Sequence, residues 1–472
     1  MKWLRDESGQ TLVFTVLCMA ILIGFMGVAI DVGTLFRAQR KIQTAADAAA
    51  IAGTLEYYFN GSANVTSVAK TAASNNGITD TNQVTVNLPP VNGWHTGSAF
   101  VEVIIQQPNP TIFMGTFGQL FGSSSLSPTT VSSRAVGGIV PSEACNYVLN
   151  KTSPGSATIK GGATINSPGC SWKIDSTSPE ALCITGNNAL NGFNTPGVLL
   201  TVAQQKAKSC NKLYPGGQVT GVSNAGDPLA SRVTIPNPAS ACTAANTVTA
   251  ATVTSATTIL SSSTSTGGFS SASSPISYSI TCFSAANVLL SSVTLGTAGD
   301  DHLYLFENGV TMSGNITING TMDLDGGNFC QGSSNCYNNN SLLTMTAPAN
   351  TFGTGGTPGN TYAWNGLSLI VPGYNTAPTC NNSYGGPNYS PPTPPATTPV
   401  SCLQLQFGSG SGTLTGMIYA PTASLFMQDS GGSIGVAGFI VDSIFVNSNL
   451  TITNSYPYAH PDSPLNQVAL VE

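Results

Sequence analysis

The uncharged run Thr11–Ile30, TLVFTVLCMAILIGFMGVAI, leads without a break into the Ala-rich stretch Arg37–Tyr58, RAQRKIQTAADAAAIAGTLEYY. At a rise of ~1.5 Å per residue, such a run matches a hydrocarbon core ~30 Å thick. Its large apolar residues each favour insertion by roughly 0.3–0.6 kcal/mol, and Asp31 falls at the end, where a charge costs little. The sequence therefore predicts one helix that crosses a membrane and continues beyond it.

A cleaved signal peptide is the alternative interpretation of this run. The apolar stretch is longer than the usual ~7–15 residues of a signal peptide, and no A-x-A cleavage site precedes the helical stretch. These two features favour an uncleaved, single-pass anchor.

The cysteines indicate the compartment of the remaining chain. Cys18 lies within the apolar run, and the disulfide candidates are Cys145, Cys170, Cys183, Cys210, Cys242, Cys282, Cys330, Cys336, Cys380 and Cys402. An even number in a chain rich in Ser, Thr, Asn and Gly is typical of disulfides in an oxidising compartment. We expect pairing between sequence neighbours, with the N-terminus in the cytoplasm and the chain after the helix outside it. The positive-inside count, with Lys2 and Arg5 before the run and three bases soon after it, slightly favours the opposite orientation.

Charge is scarce and unevenly distributed. Charged residues make up 7% of the chain, and no Lys or Arg follows Arg232. Binding to a phosphate backbone needs Lys or Arg to displace counterions, and so does a basic membrane-surface patch. The composition therefore excludes both for the second half, and we expect no nucleic-acid partner.

One face of the Ala-rich helix carries small residues at helical spacing, among them Ala45, Ala46, Ala49 and Gly53. Small side chains allow another element to approach closely. We predict an interaction face here, against a neighbouring subunit or against the protein's own domain. A solvated spacer helix is the alternative.

The patterning predicts an α+β fold for the N-terminal part and a mostly-β fold for the remainder. The predicted segments are a leader at 1–9, a transmembrane helix at 10–36, a helix with a small α+β domain at 37–140, a β-rich ectodomain at 141–455 and a tail at 456–472. Within the ectodomain, 250–275 is Ser/Thr-rich and 378–399 is Pro-rich, and both are expected to be loops.

Several motifs resemble the TadE/TadG-like family of Flp (Tad) pilus-assembly proteins. They are the closing segment Ala29-Ile30-Asp31-Val32-Gly33, the run from Gln43 to Gly53 (QTAADAAAIAG), and the order of the later strands and the Phe113–Phe117 helix up to residue 140. The resemblance implies a membrane-anchored, pseudopilin-like component whose partners are pilus-assembly proteins and the inner membrane. With the orientation that the cysteines indicate, we expect the C-terminal domain in the periplasm or at the cell surface.

A degenerate repeat follows residue 140, for example Thr158-Ile-Lys-Gly-Gly-Ala-Thr-Ile165 and Thr311-Met-Ser-Gly-Asn-Ile-Thr-Ile318. Short β runs joined by Gly or Asn corners indicate a parallel β-solenoid. A β-sandwich remains the alternative.

Three motifs suggest chemistry, and each has a simpler explanation. Asp300-Asp301-His302 resembles the carboxylate cluster of a glycosidase, but a solvated turn is the simpler interpretation. Met322–Asn328 resembles a calcium loop but lacks the acid that ends one, which again favours a turn. Gly431-Gly-Ser-Ile-Gly435, followed by Asp442 and His460, lacks the helix that a nucleophile elbow requires. We therefore predict a structural protein with no catalytic residue, cofactor or metal site. The alternatives are an adhesin that binds surface glycans and a polysaccharide-acting enzyme.

Overall fold

The structure is a computed structural model of the 472-residue chain. It describes residues 8–97, 99–120, 128–141, 144–167, 171–185, 189–191, 198–200, 218–221, 226–230, 232–255, 262–271, 274–326, 329–331, 342–348, 362–372, 401–406, 411–429, 431–454 and 465–472. Contacts divide it into two units, one built on Met1–Val140 with Gln467–Glu472 and the other on the chain between them.

The first helix, α1 (Ser8–Asn60), runs uninterrupted for 53 residues. Its apolar side chains between Leu12 and Ile30 are largely exposed, for example Phe14 at 70% and Phe25 at 71%. Within the described residues, it is the one helix long and apolar enough to cross a membrane. At ~1.5 Å per residue, about 45 Å of it continues past Ile30.

The N-terminal unit adds a short helix and an antiparallel sheet to α1. Its further elements are α2 (Val65–Asn75), β1 (Val84–Asn87), β2 (Phe100–Asn109), α3 (Phe113–Leu120) and β3 (Thr129–Pro141). The strands pair in the order β1–β2–β3, with Val103 opposite Ala135. The apolar faces of α1, α2 and the sheet form one core that includes Ile42, Ala73 and Ile105.

The second unit is mostly strand. Its earlier elements are β4 (Ala144–Val148), β5 (Ala157–Ile159), β6 (Thr164–Asn166), β7 (Ser171–Ile174), β8 (Leu182–Ile184), β9 (Ala189–Asn191), β10 (Val198–Leu200), β11 (Gln218–Thr220), β12 (Val233–Thr234), α4 (Pro238–Ala241), β13 (Thr247–Val248), β14 (Thr252–Val253), β15 (Ser263–Ser271), β16 (Ser274–Phe283), β17 (Val288–Ser291) and β18 (Thr294–Leu295). Its later strands are β19 (His302–Phe306), β20 (Val310–Ser313), β21 (Ile316–Asn319), β22 (Thr321–Leu324), β23 (Phe329–Gln331), β24 (Leu343–Thr346), β25 (Leu367–Ile370), β26 (Ser401–Gln406), β27 (Ser411–Leu414), β28 (Met417–Asp429), β29 (Ser433–Val436), β30 (Phe439–Ser448) and β31 (Thr451–Asn454).

Successive strands of this unit enter three sheets in turn. β16, β17 and β18 begin the series; β19, β20 and β21 pair with them in parallel, and β22, β23 and β24 pair with those. Phe306, Met312 and Ile318, one from each sheet, belong to the same fully buried apolar cluster. The prediction of a long N-terminal apolar helix followed by a mostly-β region is thus confirmed.

The strands of the largest sheet do not stack in chain order. The described residues give the order β11-β10-β7-β4-β30-β28-β25-β22-β19-β16-β15-β12. The late strand β30 therefore pairs in parallel with the early strand β4, placing Ile440 opposite Tyr147. The first and last parts of the unit meet in the middle of the sheet.

The expected tail, 456–472, contains a strand, so that prediction is wrong for its last part. β32 (Asn466–Leu470) extends the N-terminal sheet beyond β3. Along this edge the Val136 N–H donates to the Glu472 carbonyl, and the Val471 N–H donates to the Val136 carbonyl. The physical reason is that β3 would otherwise leave a row of backbone donors and acceptors without partners.

The Ser/Thr-rich segment 250–275 was also expected to be a loop, and the structure corrects this. β15 lies within it and pairs antiparallel with β16, Thr264 opposite Ser279. Thr is β-branched and favours extended backbone, which offsets the polar composition. The Pro-rich segment 378–399 lies outside the described residues.

Candidate functional site

The small-residue face of α1 is buried inside the N-terminal unit. Ala45, Ala46 and Ala49 are each fully buried in the core shared with α2 and the sheet. A Cβ added at Gly53 would lie 3.2 Å from Cβ of Ala69 and 3.3 Å from Cγ1 of Val101. Of the two contacts that the sequence left open, these residues make the one with the protein's own domain.

The sheet approaches α1 most closely at Gly137 of β3. A Cβ at this position would lie 2.6 Å from the carbonyl oxygen of Ala50 and even closer to Oγ1 of Thr54. Thr54 is buried, and its hydroxyl donates to that same Ala50 carbonyl at 2.7 Å. The missing side chain at Gly137 thus lets strand backbone contact helix backbone.

Asp31 joins the end of the apolar run to α3. It is 1% exposed, and its two carboxylate oxygens accept the backbone N–H groups of Ile112, at 3.0 Å, and Met114, at 2.6 Å. Ile112 directly precedes α3 and Met114 lies in its first turn, and neither N–H group has an intrahelical acceptor. Asp31 therefore caps a helix that lies about 80 residues away in the chain.

Gly27, one turn before Asp31, carries the rest of this contact. A Cβ there would lie 2.7 Å from the Phe113 ring, so the ring packs directly on the α1 backbone. Asp31 and Gly27 together hold α3 at the C-terminal end of the apolar run. The sequence marked Asp31 as a charge at the end of the apolar run and as part of a motif, but not as a cap; an acid at the end of an apolar helix was the signal for such a polar contact.

A network of charged side chains connects β2, β3 and the residues after β32. Glu102 is fully buried, and its carboxylate accepts from Nε of Arg134 at 2.5 Å. Arg134 also contacts Glu472 at 3.1 Å. Burial raises the pKa of Glu102, but hydrogen bonds from Asn87, Arg134 and Val91 outweigh it and hold that pKa below its ordinary value. The carboxylate is therefore charged at neutral pH and ties β32 to the sheet through Arg134.

One expected disulfide is present between described cysteines. Cys242 and Cys282 are bonded, with their Cα atoms 5.7 Å apart. Cys145 and Cys183 are also in disulfides, and their expected partners, Cys170 and Cys210, lie outside the described residues. So do Cys336 and Cys380, while Cys330 and Cys402 lie in strands whose side chains are not described there. Cys18 is a free, exposed thiol in the apolar run.

The Asp300–His302 cluster makes structural contacts. The carboxylate of Asp301 accepts the backbone N–H groups of Ala363, at 2.6 Å, and Trp364, at 3.3 Å, while burial raises its pKa to about 6. His302 contacts the Thr281 hydroxyl at 2.9 Å. Asp300 accepts from the backbone of Thr297. These contacts hold neighbouring loops and strands together.

The proposed calcium-like turn is partly strand. Asp323 lies in β22 with its side chain fully buried, opposite Leu305 on one side and Ile370 on the other. Burial raises the pKa of Asp323 well above its ordinary value. Within the described residues no three His, Cys, Asp or Glu side chains gather in a way that would hold a metal ion.

The G-x-S-x-G string begins a strand. Ser433 is the first residue of β29, which pairs with β27 and β31. Asp442 accepts hydrogen bonds from the Asn150 amide at 3.1 and 3.3 Å. His460 lies outside the described residues.

The described N-terminal unit has the architecture of a single-helix anchor: one long helix, apolar at its start, carries a small α+β domain from the end of its apolar run onward. Residues 9–66 match the family model described as putative Flp pilus-assembly TadE/G-like. The resemblance inferred from the sequence is confirmed over this range, which supports involvement in Flp/Tad pilus assembly. Neither the curated proteins nor the solved structures contain a match to this chain.

Proposed function

We propose that this protein is a membrane-anchored, pseudopilin-like structural component of Flp/Tad pilus assembly. The observation that carries the proposal is the coincidence of two features in α1. The TadE/G-like match at residues 9–66 covers both the apolar run and the fully buried Ala45, Ala46 and Ala49. Anchor and domain-bearing helix are therefore one continuous element.

The second unit is the part that this anchor presents outside the cytoplasm. The Cys242–Cys282 disulfide supports an oxidising compartment, because such bonds persist in the periplasm and at cell surfaces. The repeated entry of consecutive strands into the same three parallel sheets supports a β-solenoid rather than two facing antiparallel sheets. A solenoid buries its apolar residues while its surface stays nearly uncharged.

Because the small-residue face of α1 is buried, we infer that pilus-assembly proteins do not bind the helix through this face. With Ala45, Ala46 and Ala49 packed in their own domain, a pilus partner has to bind the outward surfaces of the unit. The small face then serves to hold the domain rigidly on the anchor.

Gene deletion with complementation tests the proposal. Deletion should abolish or reduce surface pili in electron micrographs, and the wild-type gene should restore them. The double variant Leu17→Arg/Leu22→Arg should fail, because each Arg near the bilayer centre costs ~2.5–3.5 kcal/mol of insertion. The matched variant is Leu55→Arg, on the same helix beyond the run, where Leu55 is 39% exposed; it should restore pili. Normal pili in the deletion strain would overturn the proposal.

A further inference from the structure

We propose that α3 is a second membrane contact, a short helix that lies at the boundary between lipid headgroups and hydrocarbon beside the span. The contact surface consists of Ile112, Phe113 and Met114, which we call the α3 patch. Its ligand is the lipid surface itself. The inference rests on the membrane anchor of the proposed function and adds to it a site that the anchor alone does not require.

The depth of the α3 patch follows from its contacts with α1. Gly27, against which the Phe113 ring packs, precedes Ile30 by three residues, or ~4.5 Å along the helix. If the run from Thr11 fills a hydrocarbon core ~30 Å thick, Gly27 lies inside its outer edge. Phe113 is therefore held at hydrocarbon depth, and the first turn of α3 lies at the interface.

The exposed apolar surface continues from the span onto the patch. Ile112 is 67% exposed, and on α1 the side chains of Ile30 and Phe36 are 47% and 66% exposed at the same end of the run. In water, the apolar area that each of these side chains exposes costs ~25 cal/mol per Å² relative to burial. A bilayer surrounding the span covers all of them at once.

The segment carrying α3 has the composition that a lipid interface requires. No Asp, Glu, Lys or Arg occurs between Glu102 and Arg134. A docking surface for a charged protein partner would be expected to provide complementary charges, and this segment has none. Its chemistry therefore favours lipid.

Asp31 supplies hydrogen-bond acceptors for the backbone N–H groups at the start of α3. The first N–H groups of a helix have no intrahelical acceptor, and near hydrocarbon water does not reliably replace it. The Asp31 carboxylate accepts two of them, from Ile112 and Met114, and its own charge is satisfied in the same contact. The cap allows α3 to begin at the membrane without unsatisfied backbone donors.

Site-directed bimane fluorescence in the full-length protein tests this inference. The protein is reconstituted in phosphatidylcholine vesicles, with and without a phosphatidylcholine that carries a nitroxide quencher on the upper part of an acyl chain, within reach both of the interface and of Cys18. One sample is labelled at native Cys18, within the span. Two others combine Cys18→Ala with Ile112→Cys or Thr66→Cys, and Cys18→Ala alone gives the labelling background.

Thr66 is a matched reference because it is an exposed residue of α2. The neighbouring Val65 packs near Gly53, which lies 26 residues, or ~39 Å, beyond Gly27 along α1. Both Ile112 and Thr66 are exposed, so neither cysteine disturbs the core.

The expected result is strong nitroxide quenching at Ile112→Cys, closer to the value at Cys18 than to that at Thr66→Cys. If Ile112→Cys is quenched no more than Thr66→Cys while Cys18 is quenched, the inference is wrong and the anchor stands. A blue-shifted but unquenched label at Ile112→Cys would show protein, not lipid, over the patch and would also overturn the inference. If Cys18 is not quenched either, the anchor of the proposed function fails together with the inference.

Discussion

The close approach of β3 to α1 allows a quantitative prediction for Gly137→Ala. The added Cβ would lie 2.6 Å from the Ala50 carbonyl oxygen, which is backbone and cannot rotate away. Carbon contacts are favourable near 3.5–4.0 Å, so β3 has to move away from α1 by about 1 Å. Such a gap forfeits a quarter to a half of the dispersion energy of each affected contact, and overpacking of this kind costs ~1–3 kcal/mol.

Hydrogen exchange of the full-length protein measures this loss locally. Val101 pairs with Gly137 in the β2–β3 register, so amides of β2 report on the interface. A loss of 1–3 kcal/mol should accelerate their exchange by about 5- to 150-fold, since ~1.4 kcal/mol corresponds to a factor of ten.

Gly97→Ala provides the matched control in the same unit. A Cβ at Gly97 would lie 3.6 Å from the Phe100 ring, which is an ordinary contact. This variant should leave exchange in β2 unchanged or slow it slightly, because Ala restricts the unfolded chain. Equal exchange in the Gly137→Ala and Gly97→Ala variants would refute the reasoning that the glycine is required by backbone contact with α1.

Three further predictions concern individual side chains. Asp31→Ala should leave two N–H groups of α3 without their acceptor and should speed hydrogen exchange in α3 but not in β2; unchanged exchange in α3 would contradict the capping role. Cys282→Ser removes the bridge to Cys242, 40 residues away, and should lower the free energy of unfolding by ~3–4 kcal/mol in denaturant titrations; a loss near zero would argue against a native bridge. Because burial raises the pKa of Asp301 to about 6 from 3.8, the folded state binds its proton more tightly, and stability should fall as the pH rises through this interval. Asp301→Asn should flatten that fall in melting temperature whereas Asp300→Asn should not, and identical pH profiles would exclude the assignment.

Local sequence patterns were sufficient for α1 and for most of the N-terminal unit. The uncharged run and the small-residue periodicity predicted a continuous helix, and α1 is continuous from Ser8 to Asn60. The α+β pattern predicted for the rest of the N-terminal part is likewise present, with β2 and β3 as its longest strands. These elements form from near neighbours, so their signals lie within a short window.

Contacts between distant residues could not be predicted in this way. The cap by Asp31 joins residues about 80 positions apart, and nothing in the α3 sequence shows that its acceptor lies in the apolar run. The same holds for β32. Its short sequence resembled a tail, because nothing near it in the sequence indicates that it pairs with the distant strand β3. The repeats indicated parallel stacking but carry no information about which repeat stacks on which.

The stacking order of the large unit explains how β32 returns to the N-terminal sheet. The unit is inserted between β3 and β32, and closing a loop of several hundred residues costs about 5 kcal/mol of chain entropy. Within the unit, however, β30 lies beside β4 and β31 beside β6, and the Asn146 amide donates to Asn454 at 3.0 Å. Asn146 follows the end of β3 by five residues and Asn454 precedes β32 by twelve. Once these central strands have paired, the chain leaves and re-enters the unit at neighbouring points, so β32 has only a short segment to close. A unit stacked in simple chain order would place those two points at opposite ends and would leave that entropy cost to the β3–β32 pairing alone.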